Sequence, residues 1–257
     1  MFPRRPILAL AFLAMSALAA QAGPVLDEIR ARGTLRVGTT GDYKPFTFRE
    51  KDGSLRGADI DMARRLAQRL GVRVEFVPAV WATLNGDFAA GKFDIAMGGV
   101  TILPARAERG VFTAPVFVDG KRPIARCADR DRFTSVAAIN RPDVRVVVNP
   151  GAANEQFARA NFPAAQLTVH RDNATVFDEI RQGRADVMVT DGIEVDHQAH
   201  IHPELCAAKV EAPFTRLEKA YWLQRDPEFA ALVNAWLEEE MRGGSWARTL
   251  DAALAAP

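Results

Sequence analysis

The sequence contains few of the side chains on which metal and redox chemistry depend. Among 257 residues there are two cysteines and four histidines. His197, His200 and His202 lie close together, but short histidine clusters of this kind are more often polar surface than a metal site. We therefore predict no metal and no other cofactor. Neither cysteine lies in a sequence context typical of a nucleophile.

An excess of charge of one sign is also absent. The chain has 33 Lys and Arg residues against 32 Asp and Glu residues, a formal net charge of +1. With no basic stripe along the chain, we expect neither nucleic acid nor a membrane surface as a partner.

The one long hydrophobic run lies at the N-terminus. Arg4 and Arg5 precede the apolar stretch 7–20, and small residues follow it at Ala20 and Ala22. This pattern predicts a secretory signal peptide over residues 1–22, cleaved after Ala22. Cleavage would leave 257 − 22 = 235 residues, enough for one large domain or two small ones. Export implies an oxidising compartment, so we expect Cys127 and Cys206 to form a disulfide.

Short apolar runs and helix-like periodicity alternate twice along the mature chain. About three strands are predicted in each set: 35–40, 72–77 and 93–97, then 145–148, 167–169 and 187–189. Alternation of this type indicates an α/β fold with parallel sheets covered by helices. We predict two lobes with a cleft between them. Lobe 1 comprises residues 23–122 and 214–257, and lobe 2 comprises residues 123–213.

Two acidic residues follow the last of these strands. Asp191 and Glu194 come directly after the run 187–189, at the sheet edge where open α/β folds bind ligands. One carboxylate there can hold a cationic ligand. A second acid in the same cleft is a candidate proton donor, although acids are also common at helix starts, where they merely favour the helix dipole.

Several motifs resemble a known family of proteins. The segments 38–46, 57–61, 81–84, 91–94 and 101–106, read together, resemble the periplasmic solute-binding proteins for amino acids over essentially the whole mature chain. This resemblance implies a periplasmic location and the type II periplasmic binding-protein fold, an α/β fold whose ligand cleft lies between two lobes.

A narrower group of enzymes built on this scaffold shows a further likeness. The segments 38–46, 149–157, 190–194 and 218–221 resemble the cyclohexadienyl dehydratases. These enzymes convert prephenate to phenylpyruvate, and arogenate to phenylalanine, with loss of water and carbon dioxide. The sequence departs from their pattern at Ala152 and Ala153, where a Gly-Thr pair is expected, and this removes one hydroxyl donor from a helix N-terminus.

The resemblance implies roles for individual residues. Glu194 would be the general acid that protonates the departing ring hydroxyl, which requires a raised pKa. Arg106 would hold a substrate carboxylate through its guanidinium fork, and Asp191 would serve a substrate ammonium or orient Glu194. Lys121 would be a second cation at the hinge or simply solvated, and Trp81 would line the cleft or lie in the core. The remaining predicted substrate-binding residues are Asp42, Tyr43, Thr101, Asn149, Ala152 and Ala153.

Two further functions stay open at this stage. The chain could be a non-catalytic amino-acid-binding protein of an ABC importer, which the shared motifs of the first lobe fit equally well. A sensor or lytic-enzyme module of the same fold is a weaker third alternative. The sequence also leaves open a homo-oligomer and the preference between prephenate and arogenate.

Overall fold

The computed structural model describes residues 24–151 and 153–256. The predicted signal peptide and Ala152 lie outside the described residues. The helices are α1 Pro24–Arg32, α2 Ala58–Leu70, α3 Leu84–Ala89, α4 Pro104–Ala107, α5 Val136–Ile139, α6 Ala153–Asn161, α7 Val176–Arg181, α8 Gly192–Ile201, α9 Pro227–Arg242 and α10 Ser245–Ala255, with a 3-10 turn at Cys127–Asp129.

Most strands belong to two five-stranded sheets. They are β1 Thr34–Thr39, β2 Asp42–Tyr43, β3 Thr47–Arg49, β4 Leu55–Arg56, β5 Arg73–Pro78, β6 Ile95–Ala96, β7 Val111–Phe112, β8 Phe117–Asp119, β9 Lys121–Arg126, β10 Arg145–Val148, β11 Gln166–Val169, β12 Val187–Asp191, β13 Leu205–Ala207, β14 Leu217–Lys219 and β15 Trp222–Leu223. A hairpin-like sheet of β2, β3 and β4 lies beside the first of them.

The first sheet has the strand order β5-β1-β6-β15-β7. β1 pairs in parallel with β5 and β6, while β15 is antiparallel to both β6 and β7. Helix α2 covers this sheet with a face that includes Met62 and Leu66, and it ends where Gly71 adopts a left-handed φ of 71°. The chain returns to this lobe at Trp222, whose ring stacks on Phe88 at 3.6 Å between centroids.

The second sheet has the order β11-β10-β12-β9-β13. β10 is parallel to β11 and β12, and β9 is antiparallel to β12 and β13. Along β12, Val187 and Val189 pack into one hydrophobic cluster and Met188 packs into another on the opposite face. Both faces are covered by helices, which is why this strand is a continuous apolar run in the sequence.

The predicted two-lobed α/β fold is therefore confirmed, but the sheets are mixed and not purely parallel. Each sheet gains two strands through antiparallel pairing, β15 and β7 in the first and β9 and β13 in the second, which the alternation of strands and helices does not reveal. The short strands β7 and β15 are paired by long-range contacts, and nothing in their local sequence distinguishes them from loops. Within the described residues, no helix is both long enough and apolar enough to cross a membrane.

A two-stranded ribbon lies where the chain passes between the two sheets. β8 and β14 pair antiparallel, with Leu217 opposite Asp119. β9 follows β8 almost directly and pairs with β12 as far as Lys121 opposite Asp191. The second sheet thus begins at Lys121, slightly before the predicted lobe boundary at residues 122 and 123. We call β8 and β14 the hinge ribbon.

The two cysteines form the expected disulfide. Cys127 follows β9 and Cys206 lies in β13, and the bridge closes a loop with a sequence separation of 79 residues. It therefore ties together both ends of the segment that builds the second sheet.

Removal of this bridge should destabilise the protein. For the double variant Cys127→Ser/Cys206→Ser we expect the free energy of unfolding to fall by about 2–4 kcal/mol, because a long loop in the unfolded chain is no longer restrained. Urea unfolding with and without reductant measures this. Reductant should shift the wild-type midpoint and leave the double variant unchanged; equal midpoints for all samples would contradict the prediction.

Candidate functional site

A cavity of about 350 Å³, measured with its open mouth, lies between the two sheets. It is lined by residues from both lobes: Tyr43, Trp81, Gly99, Thr101, Arg106, Lys121, Asn149, Ala153, Asn154, Asn173, Asp191 and Glu194.

The Asp191 carboxylate lies at the centre of the polar contacts. Lys121 Nζ is 2.7 Å from Oδ1, Lys219 Nζ is 2.7 Å from Oδ2, and the Tyr43 hydroxyl donates to Oδ2 at 2.6 Å. Burial alone would raise the pKa of Asp191, but the two ammonium groups outweigh it and hold the pKa well below its ordinary value. Asp191 is therefore an ionised carboxylate whose two oxygens are already occupied.

The second acid, Glu194, lies in the first turn of α8. It is 6% exposed, and the hydroxyl of Thr190 donates to its Oε2. Burial raises the pKa of Glu194 to about 7; the Thr190 hydrogen bond lowers it and the nearby Asp191 charge raises it. A carboxyl group with this pKa is partly protonated at neutral pH, which suits a general acid.

A chain of hydrogen bonds leads from Lys121 to one carboxyl oxygen of Glu194. Lys121 can only donate, so the Asn154 atom that it contacts is the acceptor Oδ1. Asn154 Nδ2 then donates to Asn149 Oδ1 and to Thr190 Oγ1, both at 2.9 Å. Thr190 in turn donates its single proton to Glu194 Oε2. With Oε2 accepting from Thr190, Oε1 is the oxygen left free to carry a proton.

Arg106 provides a cation without an acidic partner. The side chain is 1% exposed; Nε donates to Asn85 Oδ1 and Nη1 donates to the Thr101 carbonyl, both at 3.0 Å. Among the described residues, no carboxylate lies within ion-pair distance of this guanidinium. Burial lowers its pKa only to about 10, so it stays charged. A buried, unpaired arginine is costly unless a ligand supplies the anion.

Aromatic side chains and direct contacts between the lobes enclose the cavity. The rings of Tyr43 and Trp81 meet edge to face at 5.9 Å. The Tyr43 hydroxyl reaches Asp191 of the second lobe, and Asn173 Nδ2 donates to the Asp42 carbonyl at 3.0 Å. These contacts join the two lobes beside the cavity.

The charges of the site favour an anionic ligand. Lys121, Lys219 and Arg106 are opposed by one permanently ionised acid, Asp191, and by the partly protonated Glu194. Lys121 has its pKa lowered by burial, an effect that Asp191 partly offsets. No group of three or more His, Cys, Asp or Glu side chains in residues 24–151 and 153–256 is arranged to hold a metal ion.

Comparison with known proteins identifies the scaffold. Residues 35–254 match the bacterial extracellular solute-binding proteins, family 3. This chain belongs to that family.

Some relatives of this solute-binding protein carry the name of an enzyme. It is 47% identical to a cyclohexadienyl dehydratase of Pseudomonas aeruginosa, over 91% of this chain and 87% of that relative. It is 38% identical to the ancestral amino-acid-binding protein AncCDT-1, described as a precursor of cyclohexadienyl dehydratase, over 89% of this chain and 99% of the other, with a TM-score of 0.83. Its identity to the ancestral cyclohexadienyl dehydratase AncCDT-3 is 50%, covering 91% and 98%, with a TM-score of 0.56.

Most of the residues that the sequence singled out lie together in this solute-binding protein. Nine of them line the cavity: Tyr43, Trp81, Thr101, Arg106, Lys121, Asn149, Ala153, Asp191 and Glu194. Asp42 is the exception. Its carboxylate accepts a hydrogen bond from Trp81 Nε1 at 3.0 Å, and it lines an adjoining groove and not the cavity. Ala152 is outside the described residues.

The structure adds three asparagines and Lys219 to the site residues that the sequence singled out. Asn154 connects Lys121 to Thr190, Asn85 orients Arg106, and Asn173 lines the cavity. Lys219 is 1% exposed and contacts Asp191 from the hinge ribbon. The position of Asn154, three residues after the Asn149-Pro150-Gly151 segment, was the only local signal, because the other three contacts join residues far apart in the chain.

The raised pKa of Glu194 has a consequence for stability that can be measured. The folded state binds this proton more tightly than the unfolded chain does, so its stabilisation is full below the ordinary pKa of 4.5 and is lost as the pH rises through about 7. We therefore expect the difference in unfolding free energy between wild type and Glu194→Gln to decrease steadily from about pH 5 to about pH 7.

Glu155→Gln is the matched control. The pKa of Glu155 is lowered, chiefly by the N–H of Gly151, so its stabilisation is lost only at more acidic pH. Urea unfolding at a series of pH values should show a constant difference for this variant over the same window. An equally constant difference for Glu194→Gln would contradict the assignment of a raised pKa.

Proposed function

We propose that this solute-binding protein is a periplasmic cyclohexadienyl dehydratase, a carbon–oxygen lyase that converts prephenate to phenylpyruvate and arogenate to phenylalanine. The observation that carries the proposal is Glu194, a buried carboxyl group in the cleft whose pKa is raised to about 7 beside an Asp191 that is fully engaged by two lysines. The 47% identity to the Pseudomonas aeruginosa enzyme supports the same conclusion.

The cations of the site match the anionic groups of such a substrate. Prephenate carries two carboxylates, and arogenate carries two carboxylates and an ammonium group. Arg106, which lacks an acidic partner, can bind one carboxylate through two parallel N–H bonds. The amide of Asn149 and the N-terminus of α6 at Ala153 offer further donors from the second lobe.

The chemical step needs one proton at one position. The ring carboxylate leaves as carbon dioxide, and the electron pair of its carbon–carbon bond enters the ring. The ring then becomes aromatic as the opposite carbon–oxygen bond breaks. Glu194 transfers its proton to the departing hydroxyl, which leaves as water. Glu194 is left ionised and regains a proton from solvent before the next turnover.

The hydrogen-bond chain supports this role because it directs the acid. With Oε2 held by Thr190, the proton on Oε1 is the one available to a leaving group. Lys121 starts this chain and also neutralises Asp191. Because Lys121 neutralises Asp191, the Asp191 carboxylate beside Glu194 does not repel an anionic substrate.

The alternative function is amino-acid binding without catalysis for an importer. The structural similarity to an ancestral amino-acid-binding protein favours it. The occupied carboxylate of Asp191 argues against it, because a ligand ammonium group would have to displace a lysine from one of its oxygens.

The first test of the proposal is turnover of prephenate by the purified protein. We expect phenylpyruvate to form well above the spontaneous background. In Glu194→Gln, kcat should fall by about 10²- to 10⁴-fold, because the amide cannot transfer a proton to the leaving group, while KM changes little. Wild-type kcat should also decline with pH at and above about 7 as Glu194 ionises.

The control is again Glu155→Gln, which changes an acid in the first turn of another helix, α6, that does not line the cavity. Its kcat should match the wild type. Wild-type protein that produces no phenylpyruvate above background would refute the proposed function. Full activity in Glu194→Gln would refute the role of Glu194.

A ligand panel distinguishes the enzyme from a transport protein. Phenylpyruvate, and prephenate with the Glu194→Gln variant, should raise the melting temperature, because ligands that bind the folded state stabilise it. Free arginine, lysine and the neutral amino acids other than phenylalanine, which is itself a product of the proposed reaction, should leave it unchanged. The reverse pattern, a large shift with one amino acid and none with phenylpyruvate, would favour the importer alternative.

A further inference from the structure

We propose that Asp119 of the hinge ribbon is a positioning residue for the general acid, and that it acts by fixing the N-terminus of α8. This inference rests on the proposed function of Glu194. Asp119 does not line the cavity, and no sequence motif singles it out.

Helix α8 begins without the usual side-chain cap. Asp191 occupies the N-cap position, where an aspartate ordinarily accepts a hydrogen bond from a first-turn N–H. Here it makes no such bond, because its oxygens are held by Lys121, Lys219 and Tyr43. The free N–H groups at the start of the helix that carries Glu194 therefore need other acceptors.

The hinge supplies acceptors for two of these N–H groups. Asp119 Oδ2 accepts the Ile193 N–H at 2.9 Å, and the Gly120 carbonyl accepts the Gly192 N–H at 2.9 Å. Asp119 Oδ1 also accepts the Gly120 N–H at 2.7 Å, so the carboxylate is itself held in one orientation. Its negative charge at a helix N-terminus is favourable as well.

The contact is close enough to determine a residue type. A Cβ atom on Gly192 would lie 2.7 Å from Asp119 Oδ1, which is closer than van der Waals contact allows. Glycine at position 192 lets the carboxylate approach the helix end. The Asp-Gly step after β12 is thus explained by the hinge contact.

Two connections therefore run from the hinge ribbon to the acidic pair. β14 contributes Lys219, which binds Asp191, and β8 contributes Asp119, which binds the residue before Glu194. Leu217 of β14 lies opposite Asp119, so both connections come from one small sheet. The Asp119 contact therefore contributes to holding Glu194 on its side of the cleft.

Loss of the Asp119 contact should impair catalysis more than binding. In Asp119→Ala we expect kcat for prephenate to fall by roughly 10- to 100-fold, because a displacement of about 1 Å at the reacting group has effects of this size. KM should stay close to the wild-type value, because Arg106 and the lysines are unchanged. Asp119→Asn keeps one acceptor oxygen and should recover much of kcat.

Ser135→Ala is the matched control for a lost helix cap. Ser135 caps α5 of the second lobe by accepting the Ala138 N–H at 3.1 Å, and its removal should leave kcat and KM unchanged. The proposal would be overturned if Asp119→Ala lowered kcat only in proportion to the fraction of protein that is folded. In that case kcat per folded molecule would equal the wild-type value.

Amide hydrogen exchange tests the contact without relying on turnover. Amides 192–195 should exchange faster in Asp119→Ala than in wild type, and those of α7 should not change. If Asp119→Ala does not fold, the same measurements on Asp119→Asn should show smaller changes in the same direction. Unchanged exchange and unchanged kcat in a folded Asp119 variant would refute the inference. An inactive wild-type protein would instead refute the proposed function, and the exchange result alone would then decide whether Asp119 fixes the start of α8.

Discussion

The ion cluster around Asp191 is the interaction on which the rest of the site depends. A buried carboxylate and two buried lysines each lose hydration, and such groups are tolerated only when every charge is paired and hydrogen-bonded. Here Lys121, Lys219 and the Tyr43 hydroxyl complete the pairing. Because these partners come from the second sheet, the hinge ribbon and the first lobe, one carboxylate fixes the relative positions of all three.

The same cluster separates the roles of two acids that lie three residues apart. Asp191 receives both lysines and stays ionised, whereas Glu194 receives a single hydroxyl and has its pKa raised by burial. Neighbouring carboxyl groups with opposite pKa shifts are a recurrent arrangement in acid catalysis. On this scaffold, the acid at the strand end could hold a ligand ammonium group. Here lysines occupy that acid, Asp191, and the neighbouring Glu194 is left to protonate an anionic substrate.

Local sequence was sufficient for the fold class and for most of the cleft. The alternation of apolar runs and helices predicts the parallel strands, because β12 is apolar on both faces and helices such as α2 are apolar on one. An exported chain with two cysteines predicts the disulfide. Motif resemblance predicted that Arg106 of the first lobe and Asp191 and Glu194 of the second lobe face one cleft. The two acids follow β12 at the edge of its sheet where ligands bind in open α/β folds.

Tertiary structure alone decided which partners these residues have. Asp42 lies next to Tyr43 in the chain, yet its carboxylate turns to Trp81 and away from the cavity. Lys219 contacts Asp191 from the hinge ribbon, and Asn154 of α6 contacts Thr190, which in turn contacts Glu194. Lys219 and Asn154 lie far from these partners in the chain, and such contacts leave no periodicity in the sequence. The sequence by itself determined that two acids stand at the end of a buried strand. Only the folded chain determined that one of them is neutralised by lysines and the other is left to hold a proton, because charge state depends on burial and on neighbours that the fold brings together.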